Sequence, residues 1–263
     1  MSAGKAATRT DAVKEYIVNF DDVADDFFVN LNLQTTLALP SNRETILHFF
    51  EAVQKEFPAM TNFAHGEGGE HVLEGDRDSG CYQWLEVQTR RMIAGYFNPP
   101  SPDHGYRQHR WLLDRSTYFL GVSGLDIECL DLLFGFNLNY SGNRDAIIAQ
   151  ALLGNSPLAA FASDIGRSLE CEPSLVVALD EACSLQARLS IETRSNSYQV
   201  RTGNYEDDPI TVYLTIRQYP KPGQVIKLQE SFNNQCEYCE DIARRIVVPN
   251  FIHPISAAIA AAQ

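Results

Sequence analysis

Hydrophobic and polar positions alternate most regularly in Ile210–Tyr219. Ile210, Val212, Leu214 and Ile216 fall on one side there, and Thr211, Tyr213, Thr215 and Arg217 on the other. From Phe28 onward, Val29, Leu31, Leu33 and Leu37 likewise alternate with Asn30, Asn32, Gln34 and Thr36. Period two is the mark of a strand with one buried face. Leu132–Tyr140 reads as a third such strand, with Phe134, Phe136, Leu138 and Tyr140 set against Gly135, Asn137 and Asn139. Helical spacing takes over between these stretches. After Ser41 or Asn42 as a cap, Ile46, Phe49, Phe50, Val53 and Phe57 recur every three or four residues until Pro58. The same spacing predicts helices over Asp103–Leu120, from Asn143 to Pro157, and from about Leu228 to Ile246. Leu125–Leu130 is expected to form a single helical turn.

Part of this pattern occurs twice. His71–Arg90 and Leu175–Arg194 have equal length, and each is broken near its middle by small or polar residues, as a hairpin would be. Aligned end to end, Val72 matches Val176, Asp76 matches Asp180, Leu85 matches Leu189 and Arg90 matches Arg194. VNLNL (Val29–Leu33) returns as FNLNY (Phe136–Tyr140), and Asn42-Arg43-Glu44 returns as Asn143-Arg144-Asp145. Order and spacing are kept across the three pairs, which implies an internal duplication. The expected organisation is a mobile acidic N-terminal segment (1–26), two α+β units (27–122 and 130–250) and a C-terminal tail (251–263). Each unit runs strand, helix, antiparallel strands, helix. The predicted fold is α+β, with helices on one face of a sheet and an open polar face on the other. That order resembles, in topology alone, the duplicated saddle of the TATA-binding-protein type.

Charge bears on that resemblance. The 263 residues carry 34 acids against 21 Lys plus Arg, a net charge of −13, so the mean field repels phosphate backbones and nucleic acid is an unlikely partner. No apolar run approaches the roughly 20 residues that span a bilayer, and the N-terminus lacks a signal-type hydrophobic segment. Six cysteines at irregular spacing do not suggest a disulfide framework. A cytoplasmic chain with reduced thiols and no membrane contact is expected.

Candidate chemistry is sparse. Cys236-Glu-Tyr-Cys239 has metal-knuckle spacing, but His253 is the only nearby third ligand. Leu228, Phe232, Cys236, Cys239, Ala243 and Ile246 form one helical stripe, so core packing is the better reading of both cysteines. Glu74, Asp76, Asp78 and Gly80 resemble a fragment of a calcium loop, without the closing Glu or flanking helices. His104 and His109 sit on different sides of a helix and form a basic cluster with Arg107, Arg110 and Arg115. That cluster is open to an anion or to the chain's own acids. No nucleophile elbow, P-loop, zinc-helix or dinucleotide motif is present, and no cofactor or metal is expected.

The most informative group is the open sheet face. Asn30, Asn32 and Gln34 are expected to share it with Glu86, Gln88 and Arg90. Their counterparts are Asn137, Asn139, Arg188, Glu192 and Arg194, beside Tyr213 and Arg217. Binding residues are therefore expected among Asn30, Asn32, Gln88, Arg90, Asn137, Asn139, Arg188, Arg194, Tyr213 and Arg217. Two function classes follow. One is a non-enzymatic binding or assembly protein using this face for a protein or small polar ligand, with a homodimer as one form. The other is an enzyme with a dispersed site in the crevice between the units.

Overall fold

β1 (Asp26–Thr35) and β6 (Ile127–Leu138) lie side by side at the centre of one nine-stranded antiparallel sheet. A computed structural model describes residues 20, 22–66, 68–154, 156–221 and 223–263, with backbone alone for 162–164. Outward from β1 come β5 (Arg91–Phe97), β4 (Tyr82–Gln88), β3 (His71–Glu74) and β2 (Asn62–His65). Outward from β6 come β9 (Ile210–Gln218), β8 (Leu185–Glu192) and β7 (Ser174–Ala178). Both recurring segments are hairpins of this sheet, β3–β4 and β7–β8, each separated from the centre by one strand. The fold is α+β, with an open antiparallel sheet.

Four of the helices form where the apolar spacing placed them. α1 (Arg43–Glu56) starts on Asn42, whose side chain accepts from Thr45 N–H at 2.9 Å, and buries Ile46, Phe49, Phe50 and Val53. α2 (Pro102–Phe119) packs on β1 and β5. Gly105 lets it approach closely, since a Cβ there would stand 3.2 Å from that of Val29. α3 (Arg144–Leu153) repeats the Asn cap, with Asn143 accepting from Ala146 N–H at 3.0 Å. α4 (Pro157–Asp164) and the short α5 (Ser197–Thr202) precede β7 and β9. α6 (Leu228–Ile242) covers β6 and β9.

Between sheet and helices, Val29, Leu31, Leu33, Leu132, Phe134, Phe136, Val212, Leu214 and Ile216 are fully buried. Each such side chain contributes roughly 1.5–3 kcal/mol of burial. Phe20, Phe27, Phe134 and Phe136 close one end as an aromatic cluster, with ring centroids 5.0 to 5.7 Å apart. The expectation for segment 1–26 falls outside the described residues at 1–19 and 21, whereas Phe20 belongs to this core.

Three local expectations are corrected. Leu125–Leu130 is not a helical turn, because β6 begins at Ile127 and pairs with β1. The alternation of Leu85, Val87 and Thr89, which reads as one strand running on to Tyr96, belongs to two strands: Thr89 and Arg90 form a turn, and the chain returns as β5. The last helix does not stop at Ile246 but continues through a π-helical segment (Ala243–Ile252) into α7 (His253–Ala262). Pro249 has no N–H to give, and the wider helix absorbs it, His253 N–H bonding back to Val248 O. The whole Leu228–Ala262 helix is 35 residues, and its most apolar 18-residue stretch has a mean hydropathy of 1.3, enough by length and composition to cross a membrane. Within that stretch 28% of the residues are buried, Ile252, Ile255, Ala258 and Ile259 among them, with α7 packed on α3.

His109 illustrates what the helix layer costs. It is fully buried on α2, with Nε2 3.2 Å from Val29 O and Nδ1 without a partner. Burial pushes its pKa down to about 4, against the opposing effect of the Val29 carbonyl. The unfolded chain therefore binds this proton more readily, and stability falls as pH drops from about 6.5 towards 4. At pH 4.5 the cost is about 2–3 kcal/mol. Denaturant midpoints at pH 7 and 4.5 for wild type and His109→Gln check this. The variant should lose that much less on acidification, and equal losses would remove His109 as the cause.

Candidate functional site

The register of the sheet sorts its open face into rows of directly opposed residues. At one end Tyr82, Phe97, Phe28, Gly135, Tyr213 and Ser190 run across six strands. Aromatic rings fill this row: Tyr82 stacks on Phe97 at 5.4 Å and Phe97 on Phe28 at 6.1 Å, while Phe28 meets Tyr213 edge-on. Gly135 makes this possible, since a Cβ there would lie 2.0 Å from the Phe28 ring.

The next two rows are polar. One carries Trp84, Gly95, Asn30, Leu133, Thr215, Arg188 and Val176; the other Glu86, Ile93, Asn32, Asp131, Arg217, Gln186 and Ala178. Gly95 leaves room for the Trp84 indole and the Asn30 amide, each 2.3 Å from where a Cβ would be. A cavity of about 390 Å³ sits over these rows, lined from β5 and β1 through β6, β9 and β8 to β7. Six successive strands can reach one cavity only if the sheet curls toward it. An adjoining recess of about 440 Å³ shares Arg91 and adds Gln34, Glu86, Gln88 and Arg90. A cleft of about 650 Å³ between the end of β9 and α6 carries opposite charges close together, Lys227 lying 3.0 Å from Glu230.

Of the expected binding residues, Asn30, Asn32, Arg188 and Arg217 meet in the cavity. Gln88 and Arg90 line the recess, with Arg90 in the β4–β5 turn rather than on a strand. Asn137 shares the face but accepts from Thr211 Oγ1 at 2.8 Å and is nearly buried. Asn139 lies past the end of β6, its N–H bonded to Asp25. Arg194 lies past the end of β8 in a left-handed conformation (φ 52) and donates to Thr211 Oγ1 at 2.7 Å and Tyr213 OH at 2.8 Å. Tyr213 and Glu192 complete that network, so these three hold the sheet end together. Arg91, Asp131 and Gln186 line the cavity without having been anticipated. Arg91 was hidden by reading one strand through the turn, and Asp131 by starting β6 too late.

Charge is distributed unevenly in the cavity. Arg217 grips Asp131 with two bonds of 2.7 Å, Nε to Oδ1 and Nη2 to Oδ2, and this carboxylate holds the guanidinium above its usual pKa. Asp131 also accepts from Asn32 Nδ2 at 3.0 Å. Among the described residues Arg91 bonds only the amide oxygen of Gln88, at 3.0 and 3.2 Å, and Arg188 only Ser174 Oγ, at 3.3 Å. Neither has a carboxylate in ion-pairing range among the described residues. The side-chain oxygens of Asn30 and Asn32 are buried within the sheet, out of contact with the cavity, and have no partner among the described residues. Cys129, beside Gln34 on the same face, has its thiol pushed up to about 11 by burial and then by Asp131.

The other chemical candidates are accounted for locally. Cys236 and Cys239 are buried on α6, and Cys239 Sγ lies 3.8 Å from Leu132 O. Burial pushes both thiols up. Asp76 accepts from Asp78 N–H, and Glu74 pairs with Arg77 at 2.6 Å. His104 bonds Ser101, Arg107 pairs with Glu56, and Arg110 donates to Asn233. Among the described residues, no group of three or more His, Cys, Asp or Glu has metal-binding proximity.

Compared with protein-family models, curated proteins and solved structures, the chain matches none. The site is therefore read from its own chemistry.

The Arg217–Asp131 pair should behave as a buried carboxylate neutralised from the rim. Arg217→Met strands that charge and should cost on the order of 2 kcal/mol. Adding Asp131→Asn should recover most of the loss, as measured by denaturant unfolding. Equal stability of single and double variants would show that the pair does not neutralise the cavity floor.

Proposed function

We propose that this chain is a non-enzymatic binding protein that takes a small polar ligand in the cavity on the open face of its sheet. The observation that carries this reading is the convergence of side chains from six adjacent strands on one cavity, over the β1–β6 joint. Its size lies within the usual range for small-ligand sites, about 300–1,000 Å³. Strands hold side chains more rigidly than loops do, which favours recognition.

The other reading is an active site in the same crevice. Acid–base catalysis there would require a group that titrates near neutrality. The ionisable groups lining the cavity are three arginines and one ion-paired aspartate, which favours binding. The recurrence of strand, helix, antiparallel strands and helix on both sides of β1–β6 supports an origin by duplication. A site astride the joint would then draw on both copies.

Thr215, at the centre of the cavity wall, offers a test. Thr215→Trp should fill the cavity with little loss of stability, because Trp suits a partly exposed strand position. A thermal-shift screen of amino acids, dicarboxylates, sugars and nucleosides against both proteins reads the outcome. Ligands that raise the melting temperature of wild type should fail on the variant. If every ligand acts equally on both, the cavity is not the binding site.

A further inference from the structure

The unspent groups in the cavity define what its ligand must bring. This step rests on the cavity being the binding site. Arg217 and Asp131 neutralise each other, while Arg91 and Arg188, on opposite sides of the β1–β6 joint, have no carboxylate in ion-pairing range among the described residues. Arginine without a carboxylate partner is suited to planar anions, which it grips with parallel N–H donors. Between them Asn32 gives its NH₂ to Asp131 at 3.0 Å, so the floor that separates the two arginines carries no free anion.

We propose that the cavity binds an acidic amino acid or short acidic peptide. Its carboxylates lie on Arg91 and Arg188. Two carboxylates on a short aliphatic spacer can meet both guanidiniums at once, whereas inorganic phosphate brings one anionic centre. Ile93, Leu133 and Val176 offer apolar surface to the aliphatic carbons of the ligand. The net charge of −13 acts against long polyanions and leaves this cationic pair as a local exception suited to a small anion.

The test is calorimetric titration of the full chain at low salt with four probes. They are the tripeptide Ala-Glu-Glu, its C-terminal amide, the neutral Ala-Gln-Gln amide and inorganic phosphate. Ala-Glu-Glu should bind saturably and the neutral peptide should not. Arg91→Gln and Arg188→Gln should each weaken it at least tenfold, while melting temperatures, read in parallel, stay unchanged. Loss on amidation would assign one contact to the terminal carboxylate, and retention would assign both to side-chain carboxylates. Binding of phosphate without the peptide, or peptide binding that both variants leave intact, overturns the proposal. If no acidic probe binds but a neutral ligand does and is lost in Thr215→Trp, the acidic-ligand inference fails and the cavity reading stands. If Thr215→Trp changes no binding at all, both fail.

Discussion

The pairing of β1 with β6 is the contact on which the rest of the structure depends. Its register runs from Asp26 opposite Asn137 to Thr35 opposite Ile127 and joins the two halves of the sheet. On the helix side it brings Val29, Leu31 and Leu33 beside Leu130, Leu132, Phe134 and Phe136, the deepest part of the core. On the open side the same pairing sets Asn30 beside Leu133 and Asn32 beside Asp131. A slip of one residue would turn every one of these side chains to the other face. Core and site are thus specified by one register.

Glycine and charge shape the open face in complementary ways. Gly135 and Gly95 remove side chains from the two strands that flank β1, so that Phe28, Trp84 and Asn30 can lie across the sheet. Charges closer to the core are satisfied within the protein. Asp131 is held by Arg217 and Asn32. Arg144, fully buried at the start of α3, donates to the carbonyls of Glu206 and Asp208 at 2.8 Å and so ties the loop before β9 to the core. These groups cannot be left unpaired without a penalty of several kcal/mol. Among the described residues Arg91 and Arg188 keep only neutral partners, because water solvates them, Arg91 being half-buried and Arg188 exposed. The distinction between structural and available charge therefore follows depth in the sheet.

Much of this was legible in the chain. Period-two alternation in 28–37 and 210–219 told which residues turn inward, because a buried face tolerates only apolar side chains. Asn42 and Asn143 marked helix starts through their capping chemistry. Asn30, Asn32, Arg188 and Arg217 were identifiable as one face for the same reason as the core: side chains two apart on a strand share a side. The helical stripe through Cys236 and Cys239 foretold their burial.

What alternation could not supply was strand direction, register and curvature. Thr89–Arg90 reads as continuing strand because nothing in its residue types demands a reversal, and tertiary pairing with β1 turns the chain there. That turn moves Arg91 into the cavity and leaves Arg90 outside it. Asp131 sits in a hydrophobic run whose polar member looks like an accident until Arg217, 86 residues away, closes on it. Local periodicity determined the two faces, because burial acts on each residue separately. The cavity depends on non-local pairing and on the curl that brings β7 and β8 toward β5, and only the assembled sheet could decide those.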